Sequence, residues 1–494
     1  MNEASPIPIG GNAAETQPLP QTPAPRAPVG RGGATQGDLT QGPILGTLLA
    51  FSVPMLISSI LQTLNGSINA IWVGRLLGES ALAATANANI IMFLLVALVI
   101  GFGMATTVRV GQAFGARNVE AARRDFGTGI GFCILLGVVT GLVGWFFTPN
   151  ILAVLGTPAS SGALALSYLR VVFITIPFGV VSMMVSMGMR GAGDSKTPLY
   201  AMILTAGVDV VLNPLLIIGP GPLPMLGIAG SAAATAFANI AGLVFQLWRI
   251  YSRDLPLRLR GPELRYLIPQ GDALRYVIVK GIPMGAQMLL VSSAGLVMIG
   301  LVNREGLNAS AAYGASLQLW NYLQMPAFAV SSAVSAMVAQ SLGAGNHKRV
   351  GDVTKIGLAA TLTMSLVLAA AIVLADRPLL ALFLGDGSPA MPIARHIQLV
   401  CTSSFVLMCV TMILSGTMRA YGAVIAPMVI MFIALYPARL GFYHLAYPHI
   451  GSEAVWWAYP AGSMVAVALT LLYYTQGNWR RAQVTQPLAG APAS

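Results

Sequence analysis

Charge is what this chain has least of. Charged residues fill 9% of its 494 positions, against about 25% in an average soluble protein. Hydrophobic residues fill 56%, and the mean hydropathy is +0.74. That balance excludes a water-soluble domain and points to a polytopic membrane protein. Cysteine is scarce as well. Cys133, Cys401 and Cys409 lie in apolar runs without zinc-type spacing. They offer neither a disulfide framework nor a metal site, and read as small buried hydrophobes. No Gly-x-x-x-x-Gly-Lys-[Ser/Thr] phosphate loop occurs, which argues against ATP-driven pumping by this chain. A membrane-embedded enzyme would need clustered His, Asp, Glu or Ser near the interface. No such cluster is found, so no catalytic residue and no cofactor is expected. The net charge of +11 would suggest nucleic acid in a soluble chain. Here it fits basic loops beside anionic lipid, with no nucleic-acid partner.

The scarcest group is an acid inside an apolar run. Most Asp and Glu fall in tails, in the central linker, or between apolar segments, as with Glu79, Glu120, Asp194, Glu305 and Glu453. Asp209 alone reads as deep, near the middle of the run 199–218. A carboxylate at the bilayer centre costs at least about 2.5–3.5 kcal/mol, so such a residue is a functional candidate by default.

Twelve apolar runs are long enough to span a bilayer as helices, near 46–73, 82–110, 127–148, 164–188, 199–219, 226–250, 277–302, 310–340, 354–374, 394–417, 423–446 and 453–475. The fold class is all-α. Lys and Arg gather after the even-numbered spans, as in Arg117, Arg123 and Arg124, or Lys348, Arg349 and Lys355. The positive-inside rule then places both termini in the cytoplasm of a multi-pass protein in the cell membrane. Residues 1–44 are rich in Pro, Gly, Ala, Thr and Gln and are expected to be disordered. They lack the basic and apolar regions of a signal peptide. A six-helix lobe follows over 45–250, a solvated cytoplasmic linker over 251–276, a second lobe over 277–475, and a disordered tail over 476–494.

The two lobes repeat each other. Pro54 lines up with Pro283, an offset of 229 residues. Gln112, Gly115, Ala116 and Asn118 after span 2 match Gln340, Gly343, Ala344 and Asn346 after span 8. Met189-Arg190 after span 4 matches Met418-Arg419 after span 10. Six spans per half give parallel repeats about an axis along the membrane normal. A site is then expected at their interface, or inside one lobe near the midplane.

Four stretches in order resemble the multidrug and toxic compound extrusion (MATE) family of secondary transporters. They are Ile68–Arg75 with Leu82-Ala-Ala84 after it, the Gly-Gln-x-x-Gly-Ala loop with its echo, Arg190–Pro198, and Leu212-Asn-Pro214 followed by Leu226–Thr235. The resemblance covers roughly residues 45–475. It implies two six-helix lobes around a V-shaped cleft, with export of amphipathic, often cationic compounds by antiport against H+ or Na+. A monomer in the lipid bilayer is expected. The chain departs from the family pattern. Asn69 stands where many relatives have Asp. Asp209-x-x-x-Asn213-Pro214 stands where many have Asn-x-x-x-Asp-Pro. The acid has moved one turn along the same helix face. Val291 occupies about the place of the acid that other relatives carry in span 7.

Coupling is therefore expected to rest on Asp209. The carboxylate could take a proton, because desolvation disfavours the charged form, or it could help to ligate sodium. A structural ion pair with Arg439 in span 11 is the other reading. In span 1, Ser58, Gln62, Asn65 and Asn69 form a polar stripe on one face. It could be interhelical glue, or it could turn Gln62 and Asn69 toward Asp209. By resemblance, Ser186, Met202, Thr235 and Asn239 line the same pocket. The expected coupling set is Asp209, Asn213, Asn69, Gln62 and Thr235. The expected substrate set is Asn65, Ser186, Met202, Asn239, Gln287, Gln318, Asn321, Tyr322 and Arg439. Arg439 could instead snorkel or bond carbonyls freed by Pro437. Met183, Met184, Met187 and Met189 read as packing or as an adaptable surface. Trp456, Trp457 and Tyr459 read as an interfacial belt. Pro177, Pro326 and Pro437 are candidate kinks. A competing function is a lipid-linked precursor flippase from a related superfamily branch. It would need a charged cluster in the cleft, and only Arg439 lies deep.

Overall fold

A computed structural model describes residues 37–154, 159–219, 225–385 and 387–483. Residues 1–36 and 484–494, both read from sequence as disordered tail, lie outside the described residues. Long apolar runs become helices because a helix satisfies its own backbone groups where no water can. The chain runs α1 (Ile44–Leu77), α2 (Glu79–Gly115), α3 (Val119–Val154), α4 (Ala159–Gly191), α5 (Lys196–Ile218), α6 (Ile228–Ser252), α7 (Gly271–Arg304), α8 (Leu307–Gly343), α9 (His347–Leu374), α10 (Asp376–Leu384), α11 (Met391–Ala420), α12 (Ile425–Ile433), α13 (Arg439–Ile450) and α14 (Glu453–Gln476). Twelve spans are long and apolar enough to cross a membrane, α12 and α13 together making one of them. Helices α1–α6 form one lobe, in which α2, α3, α4 and α6 pack together and α1 lies on α5. Helices α7–α14 form the other, in which α8, α9, α11 and α14 pack together.

Four local features depart from the sequence reading. Helix α10, between spans 9 and 10, is short. It buries Leu380, and Asp376 in its first turn accepts from Arg395 Nε at 2.7 Å. Span 11 is interrupted by one π-helical turn, Ala434–Ala438, at Pro437; a proline removes a backbone donor and loosens the ladder there. Pro177 and Pro326 sit inside unbroken helices. The linker is not merely solvated. Its 3-10 turn, Gly261–Leu267, docks on α3 through a 2.8 Å pair between Arg123 and Glu263. Burial pushes the Glu263 carboxyl up, but the Arg260 N–H and the Arg123 guanidinium outweigh it and hold the group below its ordinary value. Asp125 also proves to be buried, because α3 starts earlier than hydropathy indicates. Its Oδ2 accepts from Arg109 Nε at 3.0 Å.

The repeated loops meet across the lobes at the end that carries most of the basic residues. Gln112 Nε2 donates to Ala420 O at 2.7 Å, and Gln340 Nε2 donates to Gly191 O at 3.0 Å. Ala420 and Gly191 are themselves counterparts, since each follows a Met-Arg pair. Gly115 and Gly343 permit the approach. A Cβ on Gly115 would lie 1.9 Å from Gln340 O, and one on Gly343 would lie 1.9 Å from Gln112 O. Side chains are excluded there by backbone contact, so the two glycines are required.

Both ends of the described chain are tied to this seam. Leu39 is buried, and its N–H donates to Gln340 Oε1 at 2.9 Å. Arg349 collects the carbonyls of Leu39, Gln41 and Gly42 at 3.0–3.1 Å. Trp479 is 1% exposed, stacks on Tyr474 and donates to Tyr474 O at 2.8 Å. Residues 37–43 and 478–483, assigned from composition to disordered tails, are therefore packed. Short runs of tail composition fold here because a few apolar and hydrogen-bonding groups find partners on the helices.

Candidate functional site

Asp209 lies on α5 with no exposed surface. Its Oδ2 accepts from Asn65 Nδ2 and Asn69 Nδ2, both at 2.7 Å. Its Oδ1 accepts from Thr235 Oγ1 at 3.1 Å and from Asn213 Nδ2 at 3.4 Å. Asn213 Nδ2 also donates to Asn69 Oδ1 at 3.1 Å. Three helices build the cluster. Positions 65 and 69, like 209 and 213, are one turn apart and share a helix face. Helix α6 adds Thr235. Two amide oxygens of this ring, Asn65 Oδ1 and Asn213 Oδ1, are buried without any hydrogen-bond donor. Sealed acceptors beside a carboxylate leave an unmet demand for a positive partner.

The structure separates residues that sequence had grouped. Gln62 is exposed and makes no hydrogen bond to Asp209. It lies a turn nearer the start of α1, below the carboxylate. Asn65, assigned from sequence to the substrate set, bonds Asp209 instead. Ser186 and Met202 are half-buried, and neither is among the hydrogen-bond partners of the carboxylate. Asn239 packs toward Gly179 of α4, 3.7 Å from the position of its missing Cβ.

Between the lobes lies a pocket of about 310 Å³. It is lined by Thr63 of α1, by Gln318, Asn321, Tyr322, Gln324, Met325 and Phe328 of α8, and by Met412 of α11. Gln287 of α7 is not in its wall. Sequence reasoning missed Thr63, Gln324, Phe328 and Met412. Thr63 was legible only as the neighbour of the polar stripe.

Comparison with known proteins finds the same two-fold repeat. The MatE family model matches residues 54–215 and again 283–443, once in each lobe. The chain belongs to the MATE family. It is 35% identical over 439 residues to the probable multidrug resistance protein YoeA of Bacillus subtilis, covering 88% of this chain and 94% of that one. It is 26% identical to the FAD transporter of Shewanella oneidensis over 70% of this chain and 75% of that one. Its fold matches a solved outward-facing multidrug resistance MATE transporter at a TM-score of 0.83 and 21% identity, over 92% of this chain and all of that one. MATE proteins are membrane transporters rather than enzymes. The twelve-span, two-lobe organisation is that of the family.

This MATE chain carries a buried charge in the other lobe as well. Arg439 opens α13 and is 8% exposed. It forms no ion pair with Asp209 and no hydrogen bond to any described residue; its guanidinium lies 4.4 Å from the Tyr459 ring centroid. Trp456 and Tyr459 are correspondingly buried, at 3% and 4% exposure, and only Trp457 faces outward. An aromatic residue at a span end looks the same in sequence whether it faces headgroups or the lobe core. Trp320 turns away from the pocket and donates to Gln398 Oε1 at 3.0 Å. Met184 and Met189 are sealed in the first lobe as packing.

Proposed function

We propose that this MATE chain is a multidrug efflux transporter that exports amphipathic, often cationic compounds by antiport against H+ or Na+, with alternating access between its lobes. The observation that carries the coupling is the Asp209 ring. It joins one carboxylate to two buried amide oxygens that lack donors. Na+ would satisfy all three, through Asp209, the two oxygens and Thr235 Oγ1; a proton would neutralise the carboxylate and supply a donor to one of the two oxygens. Asn69 and Asn65 bring α1 to that cation. The name of the Bacillus subtilis relative supports drug export, and the pocket of Gln318, Asn321 and Tyr322 suits a large amphiphile.

Helix α1 links the two events. Its first half buries Leu48, Phe51 and Met55 in one apolar cluster with α8 residues of the second lobe. Its second half holds Asn65 and Asn69 on Asp209, with Thr63 at the pocket. Occupation of the acid by a cation would remake the bonds that hold α1 to α5 and so shift both the pocket and the seam. The excess of Lys and Arg around the Gln112–Gln340 seam supports a cytoplasmic side for that end. The seam is then the inner gate, closed in this state.

The test is gradient-driven efflux of a fluorescent cation from proteoliposomes. Proton and sodium gradients are imposed separately on wild type and Asp209→Asn. Wild type should respond to one gradient and the variant to neither. Equal efflux in both proteins would sink the role of Asp209, and efflux driven by neither gradient in wild type would sink antiport.

A further inference from the structure

The second lobe holds a cluster of opposite polarity to the Asp209 ring. At the Asp209 ring two amide oxygens lack donors; in the cluster around Arg439 two N–H groups lack acceptors. Arg439 Nε is buried with no partner, and so is Gln398 Nε2, because Gln398 spends its oxygen on Trp320 Nε1 and Thr402 Oγ1. Gln398 is fully buried. The two donors are joined through one aromatic cluster. Arg439 lies over Tyr459, Tyr459 lies 5.8 Å from Trp320, and Tyr459 and Tyr313 share a hydrogen bond between their hydroxyls. Among the described residues no carboxylate reaches Arg439. In this lobe Glu305 pairs with Tyr447, Asp376 with Arg395, and Glu453 with His396.

The backbone is shaped around this one side chain. The π-helical turn Ala434–Ala438 ends at Arg439, and such turns recur at functional sites. On α14, a Cβ on Gly462 would lie 2.9 Å from Ala434 O and 3.2 Å from Arg439 Nε, so glycine lets α14 pack closely against the π-helical turn and the arginine. The Tyr459 ring face offsets part of the cost of taking a guanidinium out of water. It accepts no hydrogen bond in the plane of the fork, and a buried charge without a partner is expensive. Packing alone would be better served by an apolar residue.

We propose that Arg439, with Gln398, forms an anion subsite in the second lobe. Its ligand is a single anionic group, either free chloride or the carboxylate of an amphiphile. The carboxylate source rests on the efflux reading above; the chloride source does not. In the first case the transporter is bipolar, with Asp209 serving cations in one lobe and Arg439 serving anions in the other. Zwitterionic amphiphiles would then be preferred over simple cations.

The purified full-length protein, in detergent, is compared with Arg439→Gln and Arg439→Lys. One arm measures the thermal midpoint in sodium chloride against sodium gluconate at equal ionic strength. The other measures the affinity for rhodamine B, which has a free carboxylate, and for its ethyl ester, which has none. A chloride source raises the wild-type midpoint in chloride, and Arg439→Gln abolishes the rise. A carboxylate source makes rhodamine B bind about tenfold more weakly to Arg439→Gln, with the ester changed by less than about twofold. Arg439→Lys should retain part of either response. If Arg439→Gln does not fold, Gly462→Ala serves instead, since it crowds the guanidinium and keeps the charge. Identical behaviour of wild type and variant toward chloride and both dyes overturns the subsite. Ester efflux under a gradient is recorded alongside; its absence with the anion response intact would sink drug export and leave the subsite standing.

Discussion

The residues around Asp209 do unequal work, and that inequality is testable. Asn65 and Asn69 each donate to the carboxylate at 2.7 Å, and Asn69 also orients Asn213. A hydrogen bond to a charged group is worth about 1.5–3 kcal/mol. Asn69→Ala should therefore weaken the dependence of efflux on the coupling cation by about tenfold or more, and Asn65→Ala by somewhat less. Gln62→Ala should leave it unchanged. Titrating initial efflux rate against the driving cation checks all three, and a Gln62→Ala effect as large as that of Asn69→Ala would contradict the geometry. Asp209 was legible in sequence because one carboxylate in about 20 apolar residues has no cheap explanation. Asn213 followed from helix spacing, and Thr235 from family resemblance. Gln62 was misplaced because a stripe of four polar residues on α1 climbs past the height of Asp209. Which of its members meets the acid depends on how α1 crosses α5, and that crossing is not local information. Arg439 was legible as a deep charge, but its lack of a partner was not, since pairing also depends on tertiary contacts.

At the scale of elements, the repeat was plain in sequence but its use was not. Gln112-x-x-Gly115 and Gln340-x-x-Gly343 stood out as echoes. Nothing local says that each glycine receives the other lobe's backbone, or that each glutamine reaches the other lobe's carbonyl. The π-helical turn in span 11 was equally hidden, because Pro437 is compatible with a kink, a break or an ordinary helix. Gly343→Ala puts a methyl group 1.9 Å from Gln112 O, so the lobes must separate locally. Overpacking of this kind costs about 1–3 kcal/mol. The cost falls on the state in which the seam is closed. Spin labels at positions 116 and 348, exposed on opposite sides of the seam, should report a new population at longer distance in the variant. Efflux should fall as the cycle loses its closed inner gate. An unchanged distance distribution would show that the seam does not set the spacing of the lobes.

For the whole molecule, the seam depends on a piece of chain that lies outside every span. The strap 37–43 touches both lobes. The carbonyl of Gly37 lies 2.1 Å from where a Cβ on Gly193 would sit, in the α4–α5 loop of the first lobe. Leu39 and Arg349 hold the strap to the second lobe. Under alternating access the lobes part at this end, so the strap must release at least one of them in each cycle. Arg349 is the natural release point, since one guanidinium gathers three carbonyls there. Arg349→Ala leaves the Leu39–Gln340 hydrogen bond as the main polar tie to the second lobe. The amides of 37–43 should then exchange with deuterium about tenfold faster than in wild type. The seam loops around Gln112 and Gln340 should follow them if the strap helps to keep the gate shut, while the Asp209 region should not. Hydrogen exchange on the full-length protein in detergent separates these outcomes. Faster exchange confined to the strap would make it a passenger on the second lobe. Faster exchange at the strap and both seam loops would make it part of the gate, held shut from outside the membrane by a segment whose composition alone reads as tail.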